Sequence, residues 1–157
     1  MISPALPADL PAAARLMAES SLLQRYRVAY DTALASLSQA LSSGDLILAS
    51  RETDLQGFAW LSFGARILNG AAYLRLLLVA VPGHGDGTRL LLAAEDAARR
   101  VSNHLYLLAT VDNVRARAFY ERHDYRQVGD LPGLVWLDLD EALYHKPLRA
   151  HAERLSG

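Results

Sequence analysis

One apolar segment that runs directly into a cluster of glycines constrains the fold more than any other feature of the chain. Residues Ala71–Val81 are almost continuously apolar, which is typical of a strand buried on both faces of a sheet. The next residues, Pro82–Gly87, contain three glycines at alternate positions, and a helical pattern follows over Thr88–Arg100. A buried strand, a glycine loop and a helix in this order predict a domain that combines helices with a sheet.

The residues before this segment predict two helices and a β-hairpin. Apolar residues recur at helical spacing over Ala8–Ser20 and again over Leu22–Leu41, and Gly44 is expected to end the second helix in a left-handed conformation. Two short apolar strands are expected at Leu46–Ser50 and Gln56–Phe63, with a turn between them.

The residues after the glycine loop predict a strand, a helix and further strands. A strand is expected over Leu105–Thr110 and a helix over Asn113–His123, with Asn113 as its N-cap. Three more strands are expected to close the sheet, at Tyr125–Val128, Leu134–Leu139 and Leu143–Lys146. The element order predicts a single α/β domain over residues 1–157, built as one mixed sheet flanked by helices.

Composition removes several classes of function. The chain has no cysteine, which excludes disulfide frameworks, thiolate metal sites and cysteine nucleophiles. Its formal net charge of −1 at pH 7 gives no general attraction to nucleic acid or to anionic membranes. The N-terminal residues lack the regions of a secretory signal, and no apolar stretch approaches the ~20 residues of a membrane helix. These features predict a cytoplasmic protein with no nucleic-acid or membrane partner.

The glycine loop is the first candidate site. Glycines allow the backbone to approach a ligand closely, and the N-terminus of the following helix offers N–H groups, which favours a phosphate or pyrophosphate. No Gly-Lys-Ser/Thr sequence follows, so the loop is not a nucleotide P-loop. The alternative is an ordinary flexible connection between a strand and a helix, and the spacing alone does not decide between them.

The second candidate site is the helix that begins at Asn113. Seven residues are close to two helical turns, so Asn113 and Tyr120 share a face, with Ala116 leaving room between them. A tyrosine hydroxyl on such a face can donate a proton to a leaving group. The alternative is a core tyrosine beside a capping asparagine, and from the spacing alone it is favoured.

Together these motifs resemble the GCN5-related N-acetyltransferases (GNAT family). The first half of the chain has the family's order of two helices and a hairpin, and the closer resemblance spans residues 73–148. It is carried by the following motifs: Gly83-x-Gly85-x-Gly87, Asn113-x-x-Ala116-x-x-Phe119-Tyr120-Glu121-Arg122, His123-Asp124-Tyr125 and the terminal Leu143-Tyr144-His145-Lys146-Pro147-Leu148.

The resemblance implies an N-acetyltransferase that uses acetyl-CoA as co-substrate. A small-molecule or peptide amine would attack the thioester directly, without an acyl-enzyme, and the protein could act as a homodimer. Tyr120 and Asn113 would be the catalytic residues, with Tyr120 protonating the departing thiolate. A backbone N–H near Leu78–Val81 would stabilise the carbonyl oxygen. The residues expected to bind the cofactor are Leu78, Val79, Val81, Gly83, Gly85, Gly87, Thr88, Arg89, Asn113 and Arg122.

The chain departs from the family pattern at the glycine loop. Pro82 stands where the family has arginine or glutamine, and Asp86 stands where it has an apolar residue. A carboxylate near the pyrophosphate would oppose binding, unless Asp86 caps the helix and points away. These departures keep open an alternative, a non-catalytic protein of the same fold that binds an acyl-CoA or a partner protein. Asp124 replaces a glycine, a mild change because aspartate tolerates left-handed geometry.

The sequence offers several candidates for the general base and for the acceptor pocket. No carboxylate lies on the strand before the glycine loop, so the general base stays unassigned among His84, Glu52, Asp138, Glu141 and a chain of waters. Aromatic residues that could line an acceptor pocket are Tyr26, Tyr30, Trp60 and Tyr73. His104, His145 and His151 are not at metal-ligand spacing, so no metal site is predicted.

Overall fold

The computed structural model describes residues 1–64 and 67–149, and its elements largely follow the predicted order. The helices are α1 (Leu10–Glu19), α2 (Ser21–Arg25), α3 (Tyr30–Ser43), α4 (Asp86–Arg99) and α5 (Val114–Arg122). The strands are β1 (Ile2–Pro4), β2 (Leu46–Arg51), β3 (Leu55–Ser62), β4 (Ala72–Val79), β5 (His104–Thr110), β6 (Arg126–Leu131) and β7 (Glu141–Pro147). Short 3-10 helices lie at Pro7–Asp9 and Ile67–Gly70.

The strands form one mixed, mostly antiparallel sheet flanked by helices. Seven strands follow the order β1-β2-β3-β4-β5-β7-β6. The pairs β1–β2, β2–β3, β5–β7 and β6–β7 are antiparallel, whereas β4 and β5 are parallel. The predicted mixed sheet with flanking helices is thereby confirmed.

The chain divides into two compact units, and the first contains Met1–Ser62 with Arg75–Asp96. Its core is formed by α1 and α3 with β2 and β3, through the buried side chains of Leu10, Ala13, Ala14, Met17, Ala33, Leu37, Ala40, Ile47, Phe58 and Trp60. The strands β3 and β4 approach closely at Gly57. A Cβ atom there would lie 2.5 Å from the carbonyl oxygen of Leu78, so only glycine fits.

The second unit contains residues 63–74 and the chain from Ala97 onward. The first residues of β4, Ala72–Leu74, pair in parallel with Leu105–Leu107 of β5. On its other side, β5 pairs along its whole length with β7, which also pairs with β6. Tyr125 and Tyr144 are the largest fully buried side chains of this unit.

The predicted helix over Leu22–Leu41 is wrong, because the chain breaks it into α2 and α3. Arg27 adopts a left-handed conformation, with φ of +59°, which a continuous helix cannot contain. A new helix then begins where the Ala29 N–H donates to Thr32 Oγ1 at 3.3 Å. Apolar residues continue at helical spacing through the break because both helices contribute to one core. The predicted end at Gly44 is confirmed, with φ of +90°.

The predicted strand over Leu134–Leu139 is also wrong. These residues form turns between β6 and β7, where the Leu139 N–H donates to the Trp136 carbonyl oxygen at 2.9 Å. Leu134, Val135 and Leu137 are exposed, Leu137 to 95%, and Leu139 is buried, so most of the segment lacks the burial that its composition suggested. At the N-terminus the sequence analysis missed β1, which is only three residues long and gives too short a pattern to recognise.

The strand before the glycine loop is β4, and it is less buried than predicted. Its first half contains the buried residues Ala72 and Leu74, but the residues from Leu76 to Val79 are only half-buried. The prediction of burial on both faces therefore holds for the first half alone. Among the described residues, none of the helices is long and apolar enough to cross a membrane.

Candidate active site

The end of β4 leads into the glycine loop in the first unit. Leu78 and Val79 are the second-last and last residues of the strand, and Val81 is exposed beyond it. The Ala80 N–H donates to the carbonyl oxygen of Gln56 at 2.7 Å, which ties this end of the strand to β3. The backbone positions expected to stabilise a carbonyl oxygen thus lie on a half-buried strand end that is held on one side.

Two of the loop glycines adopt a backbone conformation that favours glycine. The φ angle is +90° at Gly83 and +83° at Gly85, both in the left-handed region. The Gly85 carbonyl oxygen accepts from the Arg89 N–H at 3.0 Å, and α4 begins at Asp86. The helix therefore starts earlier than predicted. The N–H groups of Gly87 and Thr88 lie in its first turn, where no carbonyl oxygen of the helix can accept from them.

The carboxylate of Asp86 is turned into the protein. The residue is 9% exposed, and its Oδ1 atom accepts from the Ser50 hydroxyl at 2.9 Å and from Arg89 Nη2 at 2.9 Å. The hydrogen bond from Arg89 lowers the pKa of the Asp86 carboxyl, although burial opposes this shift. Asp86 is the first residue of the helix and not its N-cap. Its carboxylate is nevertheless hydrogen bonded inside the protein, which is the orientation in which it would not oppose a pyrophosphate.

Arg89 packs along the glycine loop. A Cβ atom on Gly85 would lie 3.2 Å from Arg89 Nη1, and Arg89 Nη2 also lies 3.5 Å from the His84 carbonyl oxygen. The Arg89 side chain is 56% exposed, so part of its guanidinium faces solvent beside the loop. The structure thus brings together three of the residues singled out from sequence, Gly85, Asp86 and Arg89.

In the second unit, Asn113 caps α5 as predicted. Its Oδ1 atom accepts from the Ala116 N–H at 3.3 Å and so satisfies one of the free N–H groups of the first turn. The side chain therefore has a structural function in starting the helix that carries Tyr120.

Tyr120 lies near the end of α5 and is 9% exposed. Its ring makes edge contacts with the rings of Phe119 and Tyr125, at centroid distances of 5.3 Å and 5.7 Å. Burial, together with a smaller effect of Tyr73, raises the pKa of the Tyr120 hydroxyl well above its ordinary value. Burial thus disfavours the phenolate, so the side chain is a neutral phenol in the folded protein. The turn that follows places Asp124 at φ of +68°, where the family has glycine.

A hydrogen-bonded network fixes α5 on the sheet of the second unit. The buried hydroxyl of Tyr144 on β7 accepts from Arg117 Nε at 3.0 Å and donates to Glu121 Oε1 at 2.9 Å. Arg117 also donates to the carbonyl oxygen of Val111 at 2.8 Å and to Gln127 Oε1 at 3.0 Å. These contacts hold the helix on both sides of Tyr120. Sequence analysis missed the contacts of Tyr144 because this residue is 27 positions from Arg117 and 23 positions from Glu121 in the chain.

The candidates for the general base differ in burial. Glu141 is 4% exposed at the start of β7, whereas His84, Glu52 and Asp138 are exposed. Glu141 is therefore not a solvated surface residue, whereas the other three are.

The aromatic residues suggested for an acceptor pocket are divided between the two units. Trp60 is buried in the core of the first unit, and Tyr30 packs against that core. Tyr26 ends α2, and Tyr73 lies in the second unit. Trp60 is a core residue, with Nε1 donating to Asp45 Oδ2 at 2.8 Å.

The last of the residues expected to bind the cofactor lies on the surface of the second unit. Arg122 is exposed on the last turn of α5. His104 Nδ1 and His145 Nε2 lie 2.9 Å apart across β5 and β7, and His151 lies outside the described residues.

Comparison with known families identifies the chain. The acetyltransferase (GNAT) family matches residues 16–125, a stretch that contains both the glycine loop and the Asn113–Tyr120 helix. The chain belongs to the GNAT family. Membership makes it an acetyltransferase that uses acetyl-CoA as co-substrate, which confirms the family, the reaction class and the cofactor expected from sequence. No protein among the curated sequences matches the chain significantly.

Solved structures share the GNAT fold over nearly the whole chain. A GNAT-family protein from Desulfovibrio desulfuricans is 18% identical with a TM-score of 0.81, covering 95% of this chain and 99% of its own. The ribosomal-protein-alanine N-acetyltransferase of Brucella melitensis is 20% identical with a TM-score of 0.78, covering 94% and 99%. The protein yncA of Salmonella typhimurium, solved with its cofactor acetyl-CoA, is 21% identical with a TM-score of 0.76, covering 97% and 95%.

Proposed function

We propose that this GNAT protein transfers the acetyl group of acetyl-CoA directly to the amine of a small molecule or peptide, with Tyr120 as the proton donor. The observation that carries this proposal is the buried phenol of Tyr120 at the family-matched position of α5. Acetyl-CoA supplies a thioester that is already activated towards an amine, so the protein need not form a covalent intermediate.

The glycine loop fits a pyrophosphate. Gly83 and Gly85 adopt left-handed φ angles that glycine tolerates, and neither places a Cβ atom between the backbone and a close ligand. First-turn N–H groups at Gly87 and Thr88 add donors, and Arg89 adds an exposed cationic side chain. Arg122 is the further cationic side chain assigned to the cofactor, from the exposed surface of α5.

The end of β4 provides the backbone donors. The Ala80 N–H is already donated to the Gln56 carbonyl oxygen. The N–H groups of Leu78, Val79 and Val81, assigned from the family, would therefore be the ones to stabilise negative charge on the carbonyl oxygen as the amine attacks. Half-burial of Leu78 and Val79 is consistent with a strand end that keeps surface for a ligand. We assign Leu78, Val79 and Val81 to cofactor binding on this basis.

Proton transfers complete the reaction. As the bond to sulfur breaks, the Tyr120 hydroxyl gives its proton to the departing thiolate. Asn113 supports the reaction by capping the helix that holds Tyr120. The attacking amine must lose a proton, since an aliphatic amine has a pKa of about 10. Glu141 is the buried carboxylate among the sequence candidates, and the general base remains unassigned.

We take residues 1–157 as one cytoplasmic acetyltransferase domain, with an amine substrate and a second copy of the chain as its partners. Sedimentation of the purified protein distinguishes a homodimer from a monomer.

Steady-state kinetics tests the reaction. The protein is assayed with acetyl-CoA and a panel of amino acids, polyamines and peptides with free N-termini, and release of the coenzyme A thiol is measured. We expect thiol release that depends on the amine and intersecting initial-velocity patterns, as direct attack requires both substrates to be bound. Parallel patterns, with an acetylated protein detected by mass spectrometry, would show an acyl-enzyme and contradict the proposal.

A further inference from the structure

The glycine loop of this chain lacks a donor that the family pattern contains. Pro82 occupies the position of an arginine or glutamine and has no backbone N–H. At the same time the loop carries an acidic residue, Asp86, where an apolar one is expected. Taken alone, the sequence therefore describes a weakened site for a pyrophosphate.

The structure gives Asp86 a different role from the one that its charge suggests. Its carboxylate is buried and is hydrogen bonded both to the hydroxyl of Ser50, on β2, and to the guanidinium of Arg89, each at 2.9 Å. Two donors bind the carboxylate, and one of them, Arg89, carries the opposite charge. Its negative charge is consequently compensated within the cluster and is not presented at the loop surface.

The same contact fixes the position of Arg89. Nη2 is held by Asp86 and lies 3.5 Å from the His84 carbonyl oxygen, while Nη1 lies 3.2 Å from the place of a Cβ atom on Gly85. More than half of the side chain remains exposed. An arginine has five N–H donors in a rigid planar fork, so the groups not used by Asp86 remain available to an anion at the loop.

We propose that Asp86 and Ser50 are positioning residues that hold Arg89 against the glycine loop, so that Arg89 supplies the cationic donor to the cofactor pyrophosphate that Pro82 cannot supply. This inference rests on the proposed function, because it concerns the acetyl-CoA site. It assigns a role to Ser50, which lies 36 residues from Asp86 in the chain. It also reverses the expected effect of Asp86, from a residue that repels the cofactor to one that supports its binding.

A double-mutant cycle tests the coupling between Asp86 and Arg89. Binding of coenzyme A is titrated with the wild type, Asp86→Asn, Arg89→Ala and the double variant. We expect each single variant to bind about tenfold or more weakly, since a charge-assisted hydrogen bond is lost or misplaced. The double variant should bind no more weakly than Arg89→Ala, because Asp86 acts only through Arg89. Ser50→Ala should weaken binding in the same direction by a smaller factor.

Pantetheine, which has the thiol arm of coenzyme A without its pyrophosphate, separates positioning from general damage to the fold. All of these variants should bind pantetheine as the wild type does. Asp9→Asn is the matched control in the same unit, because it removes an aspartate that pairs with another arginine, Arg51, away from the loop. It should leave coenzyme A affinity unchanged. Circular dichroism confirms that each variant folds, and Ser50→Ala, the mildest change, decides the question if Asp86→Asn does not fold.

Three results would overturn the inference. Tighter binding of coenzyme A by Asp86→Asn would show that the carboxylate repels the cofactor. Additive losses in the double variant would show that Asp86 does not act through Arg89. Equal loss of pantetheine and coenzyme A affinity would show a general structural effect. Failure of the proposed function is recognised separately, since the wild type would then release no thiol from acetyl-CoA in the presence of an amine, whatever its affinity for coenzyme A.

Discussion

The Nε atom of Arg117 donates a hydrogen bond to the hydroxyl of Tyr144 over 3.0 Å, and this contact joins α5 to β7. The Tyr144 hydroxyl in turn donates to Glu121, the residue after Tyr120. A buried hydroxyl on the sheet therefore holds the helix one residue beyond the proposed catalytic phenol and three residues before it. The position of Tyr120 depends on a contact that is distant from it in sequence.

We expect Tyr144→Phe to lower the free energy of unfolding by about 1.5–3 kcal/mol, because the buried hydroxyl bonds to two charged side chains. The measurement is urea denaturation followed by circular dichroism. Tyr106→Phe, on the neighbouring strand β5, serves as the control for removing a tyrosine hydroxyl outside this network. An unchanged urea midpoint for Tyr144→Phe would show that the network does not stabilise α5.

We expect Tyr120→Phe to lower turnover by about 10²–10⁴-fold if proton donation limits the rate, with little change in cofactor affinity. The ring contacts with Phe119 and Tyr125 do not involve the hydroxyl and should be kept. Turnover is measured by thiol release and affinity by titration with coenzyme A. If the variant turns over like the wild type, Tyr120 is a core residue and the reaction has another acid.

We expect Gly57→Ala to destabilise the first unit strongly. Its Cβ atom would lie 2.5 Å from the Leu78 carbonyl oxygen and 3.1 Å from the Val79 Cα atom, so β3 and β4 would have to separate. Overpacking of this kind typically costs about 1–3 kcal/mol. Thermal melting measures the effect, and Gly129→Ala is the control, since the nearest atom there is 3.9 Å away. Equal melting temperatures for wild type and Gly57→Ala would contradict this close approach.

We expect the stabilising effect of Asp9 to disappear in acid. The hydrogen bond from Arg51 lowers the pKa of the Asp9 carboxyl below its ordinary value, so the folded state favours the ionised form. This contribution is complete above the unfolded pKa of about 3.9 and is lost as the pH falls through the lower folded value. Asp9→Asn should therefore be less stable than the wild type at pH 7, and the difference should shrink at pH 3. Denaturation at both pH values tests this, with the exposed Asp54→Asn as control. A difference that does not depend on pH would contradict the assignment.

Local patterns in the sequence predicted the features that depend on neighbouring residues. The Asn113 cap and the left-handed end of α3 at Gly44 follow from residue type and position alone. The break at Arg27 was missed because the apolar spacing is the same on both sides of it, while the deciding feature is one backbone conformation. The turns over Leu134–Leu139 were mistaken for a strand because apolar composition does not reveal exposure.

Contacts between distant residues could not be predicted. The orientation of Asp86 depends on Ser50, which comes from a strand that precedes it by 36 residues, and no local pattern connects the two. The half-exposure of the end of β4 likewise depends on its neighbours and not on its own apolar sequence. At the candidate site, residue types were therefore predictable, whereas their hydrogen-bond partners were not.

Thermal melting with acetyl-CoA tests the central claim most directly. If acetyl-CoA binds the folded protein as a GNAT co-substrate, a concentration of 100 times its dissociation constant should add about 2.7 kcal/mol to the free energy of unfolding. For a domain of this size the melting temperature should then rise by roughly 5–11 °C. A melting temperature that does not change at millimolar acetyl-CoA would contradict the account.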